Sequence, residues 1–180
     1  MTDDIPAWVN GVLTPVDKLA VHQRGLRHKA VSVFVMAPSL ESQRVLIQQR
    51  ALTKYHTPGL WANTCCTHPT WDEGPADCAL RRLDQELGIT GLPLQHRGQV
   101  EYRADVGGGL TEHELVDVYV GQATEALPLA LNPAEVMATR WVDLADLSRE
   151  VAQNPDIFTP WLRIYLQDHA TAIFGATAAV

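Results

Sequence analysis

The chain has 180 residues, 46% of them hydrophobic and 19% charged, with a formal net charge of −7. That length suffices to bury a core without disulfide staples, and the acidic balance excludes binding of nucleic acid or anionic membrane through bulk charge. No run approaches the ~18 apolar residues of a membrane span, and the opening MTDDIPAW lacks the basic and apolar regions of an export signal. Apolar runs predict strands over residues 30–37 and 45–50, followed by a loop-like stretch over residues 54–71. A helix is predicted over residues 75–87, with Ala76, Ala79, Leu80, Leu83 and Leu87 on one face, Pro75 at its first position and Gly88 as its stop. Strands over residues 99–104 and 114–121 flank a turn containing Gly107, Gly108 and Gly109, and another strand covers residues 138–142. A second helix carries Leu144, Leu147 and Val151. The last begins at Thr159 as N-cap with Pro160 after it, burying Trp161, Leu162, Tyr165 and Leu166. Short apolar strands between helices predict one α/β domain over residues 1–180, a sheet buried on both faces between helices.

The cysteines Cys65, Cys66 and Cys78 are odd in number and clustered, which reads as reduced thiol in a cytoplasmic protein. The densest polar signal is Asn63-Thr64-Cys65-Cys66-Thr67-His68-Pro69. Pro69 pushes His68 toward extended geometry, so Cys66 and His68 share a face and Cys65 points away. Two adjacent cysteines alone are usually small core hydrophobes; a histidine on the same face gives one of them the setting of a reactive thiol. Glu112 and Glu114 are also two apart, at the start of an apolar strand, where like charges repel unless a cation or a proton lies between them. His22 and His28 flank Arg24 and Arg27; by themselves they read as surface residues, and with His68, Glu112 and Glu114 they make three imidazoles and two carboxylates. Such a donor set suits Zn, Mn or Fe better than Mg. In the first helix Glu86 opposes the helix dipole at a cost of roughly 0.3–1 kcal/mol, which an Arg82–Glu86 pair at i,i+4 partly offsets.

Taken in order, these residues resemble the type 1 isopentenyl diphosphate isomerases, a branch of the Nudix fold, over residues 16–166. The carriers are Lys18-Leu19-Ala20-Val21-His22, then Gly25-Leu26-Arg27-His28, Gln49-Arg50-Ala51 with Lys54, and Pro58-Gly59-Leu60-Trp61-Ala62-Asn63. Cys66-Thr67-His68-Pro69, Tyr102-Arg103-Ala104, Glu112-His113-Glu114 and Pro160-Trp161 follow. The register of the Nudix box falls on Thr67, Glu73, Arg81-Arg82, Leu83, Gln85-Glu86, Gly88 and Ile89. The opening glycine, the glutamate after arginine and one of the later glutamate pair are therefore missing, which counts against pyrophosphohydrolysis. The resemblance implies a mixed sheet sandwiched between helices. It implies a first metal on His22, His28, His68, Glu112 and Glu114 (Mn2+, Zn2+ or Mg2+), and a Mg2+ that arrives with the substrate diphosphate and is held in part by Glu86. Lys18, Arg50, Lys54 and Arg82 would grip the diphosphate, which reconciles an acidic protein with an anionic substrate.

The implied reaction moves the double bond of isopentenyl diphosphate to give dimethylallyl diphosphate. Cys66 and Glu114 would transfer the protons, with Tyr102 assisting and Trp161 facing the hydrocarbon. Which of the two delivers the proton is open at this level. The rival readings are a Nudix diphosphate hydrolase, a cysteine hydrolase built on Cys66 and His68, and a metal- or partner-binding module without catalysis.

Overall fold

The computed structural model describes residues 4–38 and 42–175. Among the described residues nine strands form one mixed sheet. The strand β1 (Asp4–Val9) pairs with β2 (Val12–Asp17), and β3 (Arg27–Pro38) is the hub, paired with β1, β4 (Gln43–Arg50), β6 (Cys65–Thr67) and, in parallel, β8 (Leu110–Gln122). The short β5 (Trp61–Ala62) and β9 (Val136–Asp143) border β4, and β7 (Leu94–Gly107) borders β8. The helices are α1 (Lys18–Arg24), α2 (Pro75–Leu87), α3 (Leu144–Gln153), α4 (Pro160–Asp168) and α5 (Ala170–Phe174).

The period of two in β3 explains why a continuous apolar run was needed there. Val31, Val33 and Val35 face α2, where they meet Cys65, Cys78, Ala79, Leu83 and Leu87. Ala30, Phe34 and Met36 face the other side and pack with Val116, Val118, Val120, Leu147, Trp161, Leu162 and Tyr165. The sheet is thus sandwiched, as the alternation of strands and helices predicts.

Several details differ from the sequence reading. In α2 the buried face is Cys78, Ala79, Leu83, Glu86 and Leu87, whereas Ala76 is exposed and Leu80 is 43% exposed. Cys78 and Glu86 take their place because the thiol packs among the β3 valines and the glutamate accepts from Gln48. β7 is not buried on both faces; its burial alternates, as suits a strand paired on one side only with β8. Thr159 occupies the N-cap of α4, but its side chain caps nothing and its Oγ1 is buried without a partner. Leu166 is half-buried, packed on the rim of the core.

Two glycine positions are dictated by backbone. Gly88 ends α2 at φ 67°, and a Cβ there would lie 2.7 Å from the Ala130 Cβ, so both conformation and space demand glycine. Gly108 and Gly109, at φ 64° and 76°, form the two-residue hairpin between β7 and β8. That hairpin sets the register of the strands that carry the polar cluster.

Candidate active site and metal centre

Register places the polar residues. His28 on β3 lies opposite Glu114 on β8, and Tyr102 on β7 lies opposite Glu114 from the other side. Three neighbouring strands therefore hold His28, Glu114 and Tyr102 in a row, with Glu112 on the same face two residues away. His22 comes from α1, where Asp17 accepts from the Ala20 amide at 2.9 Å and Gly25 closes the helix in the left-handed region. Lys18 and His22, four apart, share one face of that helix. Cys66 lies opposite Ser32 across the β6–β3 pair, His68 follows immediately, and Cys65 points the other way beneath α2.

The imidazoles converge. The His28 and His68 Nε2 atoms are 3.2 Å apart, and Glu114 Oε1 lies 3.5 Å from the former and 2.9 Å from the latter. Donor atoms of His22, His28, His68 and Glu114 all lie within 4.8 Å of one another, and so do those of His22, His56 and Glu112. The His22 Nδ1 is 2.6 Å from the Lys18 carbonyl and the His28 Nδ1 2.7 Å from the Leu26 carbonyl. A carbonyl only accepts, so each Nδ1 carries the proton and each Nε2 presents a lone pair to the cluster. The His22 Nε2 is buried with no partner. Buried unsatisfied polar atoms cost about 1–3 kcal/mol each, and a divalent cation relieves that cost. Backbone carbonyls that fix the distal nitrogen are how metal-binding histidines are oriented. The residues fit a divalent metal.

The electrostatics agree. Burial lowers His22 to about 4 and His56, with the Arg50 charge adding to the effect, to about 2, so both rings are neutral. Burial also opposes ionisation of Glu114, yet the His28 and His68 imidazoles beside it outweigh that and hold the carboxyl well below the usual range. Glu112 is pushed up by burial and then by the charge of Glu114. The Tyr102 hydroxyl donates to Glu114 at 2.6 Å and lies 3.0 Å from Glu112. Burial, followed by the neighbouring carboxylates, pushes the Cys66 thiol up, so the sulfur keeps its proton. Ser32 Oγ donates to that sulfur at 3.2 Å. His68 spends its Nε2 on Glu114 and His28, and its Nδ1 is buried without a partner. It forms no dyad with Cys66, which removes the geometric basis of a cysteine hydrolase.

Lys18, Arg50, Lys54 and Arg82 line one pocket with Cys66, His68, Glu112, Glu114 and Trp161. Strand parity would put Arg50 on the α2 side, with Leu46 and Gln48; a register shift between Gln49 and Arg50 turns it to the other. Its guanidinium carbon then lies 5.3 Å from the Trp161 ring. The Trp161 indole donates to Asn63 at 3.1 Å, so this ring is both packed and pocket-facing. Glu86 is not brought to the imidazoles. It is buried behind Arg82, at 2.6 Å from its guanidinium, and accepts from Gln48 at 3.0 Å.

The NUDIX domain family model matches residues 26–162. The isopentenyl-diphosphate Delta-isomerase of Roseobacter denitrificans is 65% identical over 178 residues, covering 99% of each chain. Those of Cereibacter sphaeroides and Dinoroseobacter shibae are 64% and 61% identical, over 100% and 99% of this chain and 99% of their own. This chain belongs to the isopentenyl-diphosphate Delta-isomerase family. The same fold recurs in a crystal structure from Deinococcus radiodurans (TM-score 0.69, 12% identity, 89% of this chain and 94% of that one). It recurs also in a Nudix hydrolase from M. smegmatis (TM-score 0.57, 22% identity, 90% and 88%).

This chain thus has the Nudix fold, while the box sequence on and before α2 is depleted. Glu73, the box glutamate that remains near its start, is bound to Arg81 at 2.5 and 2.7 Å and to the Thr70 amide at 3.0 Å. It clips the approach of α2 and stays out of the pocket. Two polar residues escaped the sequence reading. His56 reaches the cluster, its Nε2 3.5 Å from Glu112, from a loop with no periodicity to reveal its direction. Glu135 precedes β9 and pairs with both Lys54 and, at 3.2 Å, Arg82. Their only signal was polarity between elements, which most loop residues share.

Proposed function

We propose that the enzyme interconverts isopentenyl and dimethylallyl diphosphate by adding a proton at the terminal methylene and removing one from the carbon two bonds away. The observation that carries this reading is a protonated thiol and an ionised carboxylate lining one pocket. Cys66 keeps its proton through burial, and Glu114 is kept ionised by His28 and His68. An unactivated alkene is a poor base, so its protonation needs an acid on one face, a base on the other and a site that tolerates a tertiary cation. Cys66 and Glu114 are the proton-transfer pair, and they exchange roles when the reaction runs backwards. Tyr102, through its hydrogen bond to Glu114, holds the carboxylate in orientation. The face of Trp161 stabilises the cation, a contact worth up to ~2 kcal/mol when desolvated. Lys18, Arg50, Lys54 and Arg82 bind the diphosphate, and the acidic remainder of the surface plays no part in that attraction.

His22, His28, His68 and Glu114, whose donor atoms lie together, would hold a divalent metal, with Glu112 added from the adjoining group that shares His22; an imidazole-rich set favours Zn2+ or Mn2+ over Mg2+. Bound there, it would fix Glu114 and favour its ionised form. Glu86 would help hold a Mg2+ that accompanies the diphosphate. Water must be kept from the cation, which it would trap as an alcohol. Among the described residues no helix is long and apolar enough to cross a membrane.

Incubation with isopentenyl diphosphate and Mg2+ in D2O tests the reading. Dimethylallyl diphosphate carrying solvent deuterium is expected, with deuterium appearing in the remaining substrate through the reverse reaction. Release of inorganic phosphate or pyrophosphate would identify a hydrolase, and conversion without solvent deuterium would remove the roles of Cys66 and Glu114.

A further inference from the structure

Five donors leave one position of an octahedron open, and the structure offers a residue to fill it. For metal–ligand bonds of ~2.1 Å, neighbouring octahedral ligands lie ~3.0 Å apart and opposite ones ~4.2 Å apart. His28, His68 and Glu114 form a triangle with edges of 3.2, 3.5 and 2.9 Å. That is the shape of one octahedral face. His22, His56 and Glu112 form a second triangle, with His56 and Glu112 3.5 Å apart. His22 belongs to both donor groups, and one nitrogen lone pair serves only one ion. Two separate ions are therefore excluded as long as both groups keep His22.

We propose that His56 is the sixth ligand of the metal centre, closing a shell of four imidazoles and two carboxylates around a single transition-metal ion. The inference rests on reading the cluster as a metal centre, and requires the second triangle to close on the first. His56, like His22 and His28, has its Nδ1 turned away from the cluster, here onto a side-chain hydroxyl in place of a backbone carbonyl. Its Nδ1 is engaged 3.1 Å from Thr57 Oγ1, so Nε2 faces Glu112, and its backbone carbonyl accepts from Arg50 at 3.1 Å. Its ring stacks on His22 at 5.6 Å and meets Trp161 edge-on at 5.9 Å. Thr57 holds φ at 47°, an uncommon conformation for a β-branched residue, in the turn that delivers His56. Packing between Tyr55 and Trp161 would bury the ring, but it would not require one nitrogen anchored and the other aimed at a carboxylate.

Closed shells are the mark of structural metal sites, and open positions that of catalytic ones. With His56 in place the ion has no vacancy for solvent beside the reacting carbons, and its task is confined to fixing Glu114.

The test uses full-length protein stripped with chelator and reloaded with one equivalent of Mn(II), followed by water-proton relaxation. Wild type is expected to show no exchangeable water on the ion, and His56→Ala to gain one, with roughly tenfold or greater loss of Mn(II) affinity. X-ray absorption of the Zn(II)-loaded wild type, which needs no variant to fold, is expected to count four imidazoles. Three imidazoles, or a wild type that relaxes water as strongly as His56→Ala, overturns the role of His56 and leaves the metal centre standing. Failure to retain either metal overturns both.

Discussion

Tyr102→Phe removes a single hydroxyl from the centre of the site. The ring is 6% exposed and packs edge-on against Tyr165 at 5.9 Å, so phenylalanine keeps the shape and most of the packing. What is lost is the donor to Glu114 at 2.6 Å, beside Glu112 at 3.0 Å. Hydrogen bonds to a charged group contribute about 1.5–3 kcal/mol, which corresponds to roughly a 10- to 150-fold slower step if the whole bond matters to the transition state. Tyr102 is not among the residues lining the pocket, so its loss acts through Glu114 and falls on kcat, with KM for isopentenyl diphosphate nearly unchanged. Steady-state kinetics by product chromatography, with thermal melts to verify folding, measure this. A kcat within about twofold of wild type, or a change confined to KM, would refute the argument that this hydroxyl orients the carboxylate.

Cys66→Ala is expected to abolish turnover in a folded protein, whereas Cys65→Ala keeps it and loses about 1 kcal/mol of stability from its place beneath α2; equal loss of activity from both would sink the assignment. Trp161→Leu should lower kcat by up to roughly thirtyfold, the equivalent of ~2 kcal/mol, with Trp161→Phe in between. Both variants leave Asn63 Oδ1 without its donor, at about 1–3 kcal/mol of stability, so melting temperatures must be compared; equal kcat for the two would make Trp161 purely structural. The buried neutral His56 gives metal-free protein a pH dependence. Its folded value of about 2 lies below the unfolded 6.5, so on acidification the unfolded chain takes up the proton first and stability falls as pH drops below 6.5. Urea titrations at pH 7 and pH 5 should show wild type losing about 2 kcal/mol more than His56→Asn over that interval, and parallel losses would contradict the neutral, buried assignment.

Much of the site was legible because strand geometry projects a period of two onto the sequence. Cys66 with His68, and Glu112 with Glu114, share faces by parity alone, and Pro69 was enough to indicate the extended backbone that makes parity apply. The ends of α2 were equally readable, because Pro75 and Gly88 act through local backbone conformation. The helix α1, with its Asp17 cap and Gly25 stop, carries the same local signals, but its seven residues are too few to show a helical period.

By itself, then, the sequence determined the alternating elements, the pairings within a strand and, through an ordered set of short motifs, the family. Those are properties of neighbouring residues. Only the tertiary structure decided that His28, Glu114 and Tyr102 stand in one row, because a row across β3, β8 and β7 depends on register between strands distant in sequence. It alone turned Arg50 into the pocket through a bulge, set Glu135 between Lys54 and Arg82, and carried His56 into the cluster. Loop side chains have no period to reveal their direction; His56 points at Glu112 because the chain between β4 and β5 must close over a sheet whose register was set elsewhere.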